Sequence, residues 1–418
     1  MHVRVLVDVV VIASVVPSLA IAPRVLARRP DPVAEADRRV FAPAVWLALV
    51  TCLIYVNQVL FTVYVLRVYG GDPSFIARYL PTGWFDLASA HPFLRGLAER
   101  IPAPGLLAPS VLRIQAFLEL PFVLLAFATV VRWLDADLYR RVARSALLPL
   151  ASLSFTAVFC LVEWDLRNPY TPDDLVIRAV AAVITPLLMA RAAARDTGTT
   201  RVTTSLAGLL VFIGSLGALG GLVLIVYDTA LLYNLGRIDD RLPLALTAAG
   251  LLLCLRGAAS RPRARSTSTP TLSFVVHALR HWLVLFFVPA LAVRYGLLFG
   301  TPSLALTTGG LTAAVACVQA GRDTLTETRD APGGTARPMS ALLLTGGIGC
   351  AILAGAGGAA VAVRLTPRSY EEVALLSALA GFLVTGVAVC GLIDIRLAAV
   401  LKRVDEDGRL VHHSRPTP

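Results

Sequence analysis

Apolar residues run along this chain in stretches of roughly twenty, separated by polar breaks, almost from one end to the other. Coiled as a helix, each stretch is long enough to cross a hydrocarbon layer about 30 Å thick. Strands of a membrane barrel would alternate polar and apolar residues, and these stretches do not. A backbone in lipid must also satisfy its own hydrogen bonds, which leaves helices. The pattern predicts an all-α, polytopic transmembrane bundle. Its stretches lie at 5–22, 41–66, 111–133, 145–164, 175–190, 205–226, 242–255, 272–293, 303–320, 341–363 and 373–393, so about eleven helices span. The stretch at 242–255 is the shortest, and its length leaves open a full crossing. The first could pass for a signal peptide, but its stronger basic cluster (Arg24, Arg28, Arg29, Arg38, Arg39) follows it, as for a retained helix.

Charge sets an expected orientation. Only 16% of the residues are charged, against about 25% in soluble domains. With the N-terminus outside, the cytoplasmic loops and tail hold 24 Arg and Lys against 13 Asp and Glu. The outer segments hold 13 of each, and Glu119 and Arg280 fall within spans. The whole net charge of +11 then lies on one side, the positive-inside pattern. The expectation is a multi-pass protein of a bacterial-type plasma membrane, N-terminus outside and C-terminus cytoplasmic. In a soluble protein such a charge would suggest nucleic acid. Here it marks the lipid bilayer as partner and no nucleic acid.

Composition also divides the chain. Segments 257–270 and 322–338 are rich in Arg, Ser, Thr, Pro or Gly and read as mobile cytoplasmic linkers. The first would separate a seven-helix block (1–256, with a long outer loop at 70–110) from a four-helix block (271–396), followed by a tail at 397–418. The second block is rich in small residues, as in Gly346-Gly347-Ile348-Gly349, which suit close helix packing in lipid.

Candidate chemistry concentrates in the first block. Tyr55, Gln58, Thr62 and Tyr69 form one stripe at helical spacing, with Asn57 and Tyr64 on an adjacent face. Gln115 and Glu119 lie one turn apart. An ionised carboxylate costs several kcal/mol in lipid, so Glu119 should face the bundle interior, where such residues are functional candidates. The loop 70–110 interleaves Trp84, Phe85, Leu87, Phe93, Leu94 and Leu97 with charge, as an amphipathic segment along the interface would. Glu163, Trp164, Asp165, Tyr170, Asp173 and Asp174 bring acids and aromatics to the same end, and Tyr227, Asp228, Asp239 and Asp240 add to them.

Several chemistries lack their signatures. The six Cys lie singly in apolar stretches, without the spacing of a disulfide framework or zinc site. His277 and His281 are one turn apart, but no third ligand accompanies them, so no metal site and no cofactor are implied. Neither a phosphate-binding glycine loop nor a nucleophile elbow is present. Three readings follow. The first is an ion-coupled transporter of a small organic molecule, with Glu119 coupling and Tyr55, Gln58, Gln115, Trp84 and Tyr170 meeting substrate. The second is a membrane-embedded enzyme on an isoprenoid or lipid-linked substrate, with Glu119, Glu163 and Asp165 as acid–base carboxylates at the outer leaflet. The third is an accessory scaffold.

Overall fold

The structure is a computed structural model, and it describes residues 2–27, 39–72, 74, 91–101, 107–167, 170–198, 202, 205–231, 234–260, 270–330, 337–366 and 377–396. Among these there is no strand. The helices are α1 (His2–Ala27), α2 (Pro43–Tyr69), α3 (Pro92–Arg100), α4 (Leu107–Leu134), α5 (Ala136–Ala143), α6 (Leu147–Leu166) and α7 (Thr171–Arg195). Then come α8 (Leu206–Val226), α9 (Ile238–Ala259), α10 (Pro270–Leu285), α11 (Pro289–Leu298), α12 (Pro302–Asp330), α13 (Arg337–Leu365) and α14 (Ser377–Arg396). Ten of them are long and apolar enough to cross a membrane, and α10 with α11 qualifies jointly as an eleventh. The chain is a multi-pass helical membrane protein. Every stretch read from the sequence falls on helix among the described residues, with one break inside 272–293.

Two expectations need correction. The span at 272–293 is not continuous: α10 and α11 meet at a break and are bent by 75°. Pro289 opens α11, and a proline there has no N–H to continue the ladder and crowds the carbonyl four residues back. The segment 322–338 is also not a linker throughout, because α12 stays helical to Asp330. The short stretch at 242–255 sits in a 22-residue helix, extended at both ends by polar residues. Trp84, Phe85, Leu87, the linker residues 261–269 and the tail 397–418 lie outside the described residues.

The chain packs as two compact units. Unit 1 holds Met1–Arg201, Leu219–Gly250 and Arg280–Cys317; unit 2 holds Val202–Ala218, Leu251–Leu279 and Val318–Pro418. In unit 1, α4 is the central span, with 67% of its apolar window buried. It packs on α2 and α7, while α1 closes on α6 and α11. Phe61, Phe122, Phe155, Leu120 and Leu124 fill the space between them. In lipid, apolar contact alone does little to favour association, so hydrogen bonds and close approach must specify it. One such bond is visible at Pro186 inside α7. This proline cannot donate to the Ala182 carbonyl, and Ser152 of α6 donates to that carbonyl instead, at 2.8 Å.

Unit 2 relies on small residues, and of the glycines singled out above only Gly347 faces a neighbour, where a Cβ would lie 3.5 Å from Ile393. A methyl at Gly346 or Gly349 would meet nothing within 4 Å. The close crossing is between α13 and α14: a Cβ on Gly381 would lie 2.6 Å from the Gly358 carbonyl oxygen, and one on Gly358 2.7 Å from that of Gly381. The start of α10 is tied down nearby. Asp394 accepts the Leu272 N–H at 3.2 Å, and Glu327 holds Ser273 and His277, each at 2.9 Å.

Candidate functional site

Unit 1 carries buried polar groups at three levels, each built from α4 and its neighbours. The first is where α4 and α7 begin and α6 finishes. Glu119, on the second turn of the apolar part of α4, is buried and accepts from Arg178 Nη1 at 3.0 Å. The other Arg178 terminal nitrogen lies 3.5 Å from Glu163 Oε1 at the end of α6. The guanidinium rests on the Phe159 ring, 4.2 Å from its centroid. Asp174, one turn from Arg178 on α7, is also buried. Its Oδ1 has no hydrogen-bonding partner among the described residues, nor has Arg178 Nε. Three carboxylates thus surround one arginine. Two further cations act on these acids: Arg113, paired with the exposed Asp173, on Asp174, and Arg294 of α11, which covers the Tyr227 ring at 4.4 Å, on Glu119. Beside Arg294, Tyr295 of α11 sets its ring against Phe159 and Phe155, with centroids 4.9 and 6.1 Å apart. The second half of the broken span therefore forms one wall of the ion cluster.

The second level lies one helical turn along α4. Gln115 shares the face of Glu119, accepts from Asn57 Nδ2 at 3.2 Å and donates to the Ala230 carbonyl at 3.4 Å. Ala230 belongs to a π-helical turn, Tyr227–Leu231, that ends α8. Such turns loosen the backbone ladder and recur at functional sites. Tyr55 bonds Thr229 of the same turn at 2.8 Å. Gln58, one turn from Tyr55 on α2, is 0% exposed. Neither its nitrogen nor its oxygen has a partner among the described residues.

The third level is the opposite end, where α1, α4 and α7 finish. Arg132 of α4 forks onto Asp196, with Nη2 at 2.9 Å from Oδ1. Arg140 Nη1 donates to the carbonyls of Asp196 and Gly198 at 3.2 and 2.8 Å. Arg141 donates to the last carbonyls of α1, Val25 at 2.7 Å and Leu26 at 3.0 Å, and pairs with Asp137 at 3.0 Å. Asp135 caps α5 by accepting from the N–H groups of Asp137 and Leu138, and meets Arg280 at 3.1 Å. Tyr139 is enclosed by this network, and burial first, then the Asp196 charge, pushes its phenol above the usual range.

The structure brings together some residues that the sequence nominates. Glu119 and Glu163 meet on one arginine; Tyr55 and Gln115 both bond the π turn, and Gln58 is buried one turn from Tyr55 on α2. Asp165 is exposed on the last turn of α6, and none of the described ion pairs includes it. Tyr170 caps the start of α7, apart from the π turn. Its phenol is raised by burial and, secondarily, by Tyr69. Trp84 lies outside the described residues. The sequence reading missed Arg178, Asp174 as a buried group, Arg294 and the π turn. Arg178 stands three residues into a stretch taken to begin at Leu175, so its charge was counted with the outer segments. A basic residue inside an apolar stretch was the signal, one turn past a buried acid. No protein-family model, no curated protein and no solved structure matches the chain.

Proposed function

We propose that the protein is an ion-coupled transporter of a small organic molecule in the plasma membrane, with the acid-rich cluster around Arg178 as its coupling site. One observation carries this reading: an arginine buried between Glu119 and Glu163, with a third acid, Asp174, left with an unpartnered oxygen. An excess of carboxylate over cation in the interior is costly unless one acid carries a proton part of the time. Proton binding to Glu119 forms its O–H bond, cancels its charge and dissolves its ion pair. Arg178 keeps Glu163, so the guanidinium is never left without a counter-charge. The same step weakens the tie between α4 and α7, the kind of differential contact that alternating access requires.

Two further features support it. The wall presented by α11 belongs to a discontinuous span, and broken helices commonly shape transport sites. The opposite end is closed by an arginine–carboxylate network that ties α1, α4 and α7 together. With the positive-inside orientation, the Arg178 cluster faces outward and the network closes the cytoplasmic side.

A second reading has its own observation. An apolar crevice of about 440 Å³ lies against α1, α6 and α7, lined by Val9, Val10, Ala157, Leu161, Trp164 and Leu175. It would suit the chain of a lipid-linked substrate for an enzyme. Metabolite profiling of pellet and medium, with and without the protein and with Glu119→Gln, separates the two. Known compounds redistributed by wild type but not by the variant support transport. A new compound formed by detergent-purified protein would replace that reading with catalysis.

A further inference from the structure

The apolar crevice against α1, α6 and α7 has a mouth whose chemistry narrows what fills it. Its walls include Leu6 and Val9 of α1, Ala157, Leu161 and Trp164 of α6, and Leu175 of α7, around about 440 Å³. From Ala157 to Trp164 it follows α6 for seven residues, about 10 Å at 1.5 Å per residue. It lies at the end of the bundle where α1 and α7 begin and α6 finishes. Apart from the Trp164 indole, these walls offer no strong hydrogen-bonding group, so a hydrocarbon chain suits them better than water.

The mouth is different. Trp164 is 57% exposed on the last turn of α6, and Arg167 follows three residues later. Arg167 ends the helix in the left-handed region, at φ 47° and ψ 45°, which is unfavourable for a residue with a Cβ. With the chain turned in this way, its guanidinium stands over the Trp164 ring, 5.5 Å from the centroid. Arg113, Arg237 and Arg241 each meet a carboxylate, whereas Arg167 is exposed and joins none of the described ion pairs. Stacking orients the guanidinium and leaves its N–H edges available to a planar or tetrahedral anion.

Tryptophan at the end of a span marks the headgroup level of a bilayer. Arg167 then lies level with the lipid phosphates, and the crevice lies among the chains beneath them. A phospholipid has both parts at these depths. We propose that the crevice and Arg167 together bind a phospholipid, with one acyl chain along α6 and the phosphate on the guanidinium. Asp165 is exposed on the same turn and repels a free anion, so the chain must supply part of the binding. The lipid is held and not converted, and the site depends on neither the transport nor the enzyme reading.

The test is thermal unfolding of the full chain, delipidated in detergent, against probes that carry the two parts together or singly. Dioleoyl phosphatidylglycerol has chains and phosphate, dioleoylglycerol the chains alone, and glycerol phosphate the phosphate alone. The phospholipid should raise the melting temperature at about tenfold lower concentration than dioleoylglycerol, and glycerol phosphate should leave it unchanged. Arg167→Gln should remove the preference for the phospholipid and keep the response to chains. Ala157→Phe, which fills the crevice, should remove the response to both lipids. Should that variant fail to fold, Val9→Trp closes the same crevice from an exposed position on α1. Equal effects of the two lipids, or a preference that survives Arg167→Gln, would overturn the proposal. An undiminished lipid response with the crevice filled would do the same, and so would stabilisation by glycerol phosphate, which marks a soluble-anion site. A phospholipid recovered from the protein as a new compound would overturn the resident-lipid proposal and favour the enzyme reading.

Discussion

Replacing Arg178 by methionine tests the site most directly. Arg178 holds Glu119 at 3.0 Å and Glu163 at 3.5 Å, and its own side chain is 8% exposed. Removing one partner of a buried pair costs about 3–5 kcal/mol, because the remaining charge stays behind in a poor solvent. Glu119→Gln should cost less. It removes one charge-assisted hydrogen bond, worth about 1.5–3 kcal/mol, and leaves Arg178 with Glu163 and Asp174. The informative protein is the double variant. Once Arg178 is gone, neutralising Glu119 removes an unpaired charge, so Arg178→Met with Glu119→Gln should be about 1–3 kcal/mol more stable than the two single losses added together. Equilibrium unfolding in detergent gives all four corners of this cycle. Additivity within about 0.5 kcal/mol would refute the pairing. A Glu119→Gln loss as large as that of Arg178→Met would refute the claim that Arg178 keeps other partners.

Three more outcomes are expected. Gly381→Ala should destabilise the protein by about 1–3 kcal/mol, since the methyl would press on the Gly358 carbonyl, whereas Gly349→Ala, facing open space, should be neutral or better in the same melt. Asp196→Asn should cost about 3 kcal/mol by leaving the Arg132 guanidinium without its carboxylate, and chemical denaturation should register it. Tyr139→Phe should be nearly silent at pH 7. The Tyr139 phenol titrates higher in the folded than in the unfolded chain, so its contribution is complete below the unfolded value near pH 10 and is lost as pH rises beyond it. Phe at this position should therefore make the alkaline loss of stability shallower by up to about 1.4 kcal/mol per pH unit, read from melts between pH 9 and 11.

The fold was legible because lipid imposes one rule on every span: about twenty apolar residues, coiled. That rule says nothing of where a helix bends. Pro289 marks the break between α10 and α11, yet Pro17, Pro23, Pro121, Pro186 and Pro243 all sit inside continuous helices. Proline alone therefore could not identify the break. Pro186 shows why it is tolerated, since a serine from another helix takes up the freed carbonyl. The overrun of α12 to Asp330 has a similar cause: beyond the hydrocarbon a helix may be as polar as it likes, and charge no longer marks its end. At the site, Glu119 was legible as an acid in an apolar stretch. Its partner was not, because Arg178 lies 59 residues away and only the packing of α4 on α7 joins them.

The two ionic groups of unit 1 differ in a way that bears on function. At the end where α4 finishes, arginines meet carboxylates in forks and cover the last carbonyls of α1, with helix α5 capped in their midst. Such matching gains nothing from a proton and would be broken by one, so its natural role is to hold α1, α4 and α7 together. Where α4 begins, the balance is reversed. Three acids, Glu119, Glu163 and Asp174, act on the one arginine they surround. A structural clamp would be better served by fewer acids, since each unmatched buried carboxylate weakens the fold. An arrangement that stays costly unless a proton is present can respond to one, and the coupling proposed here requires that response.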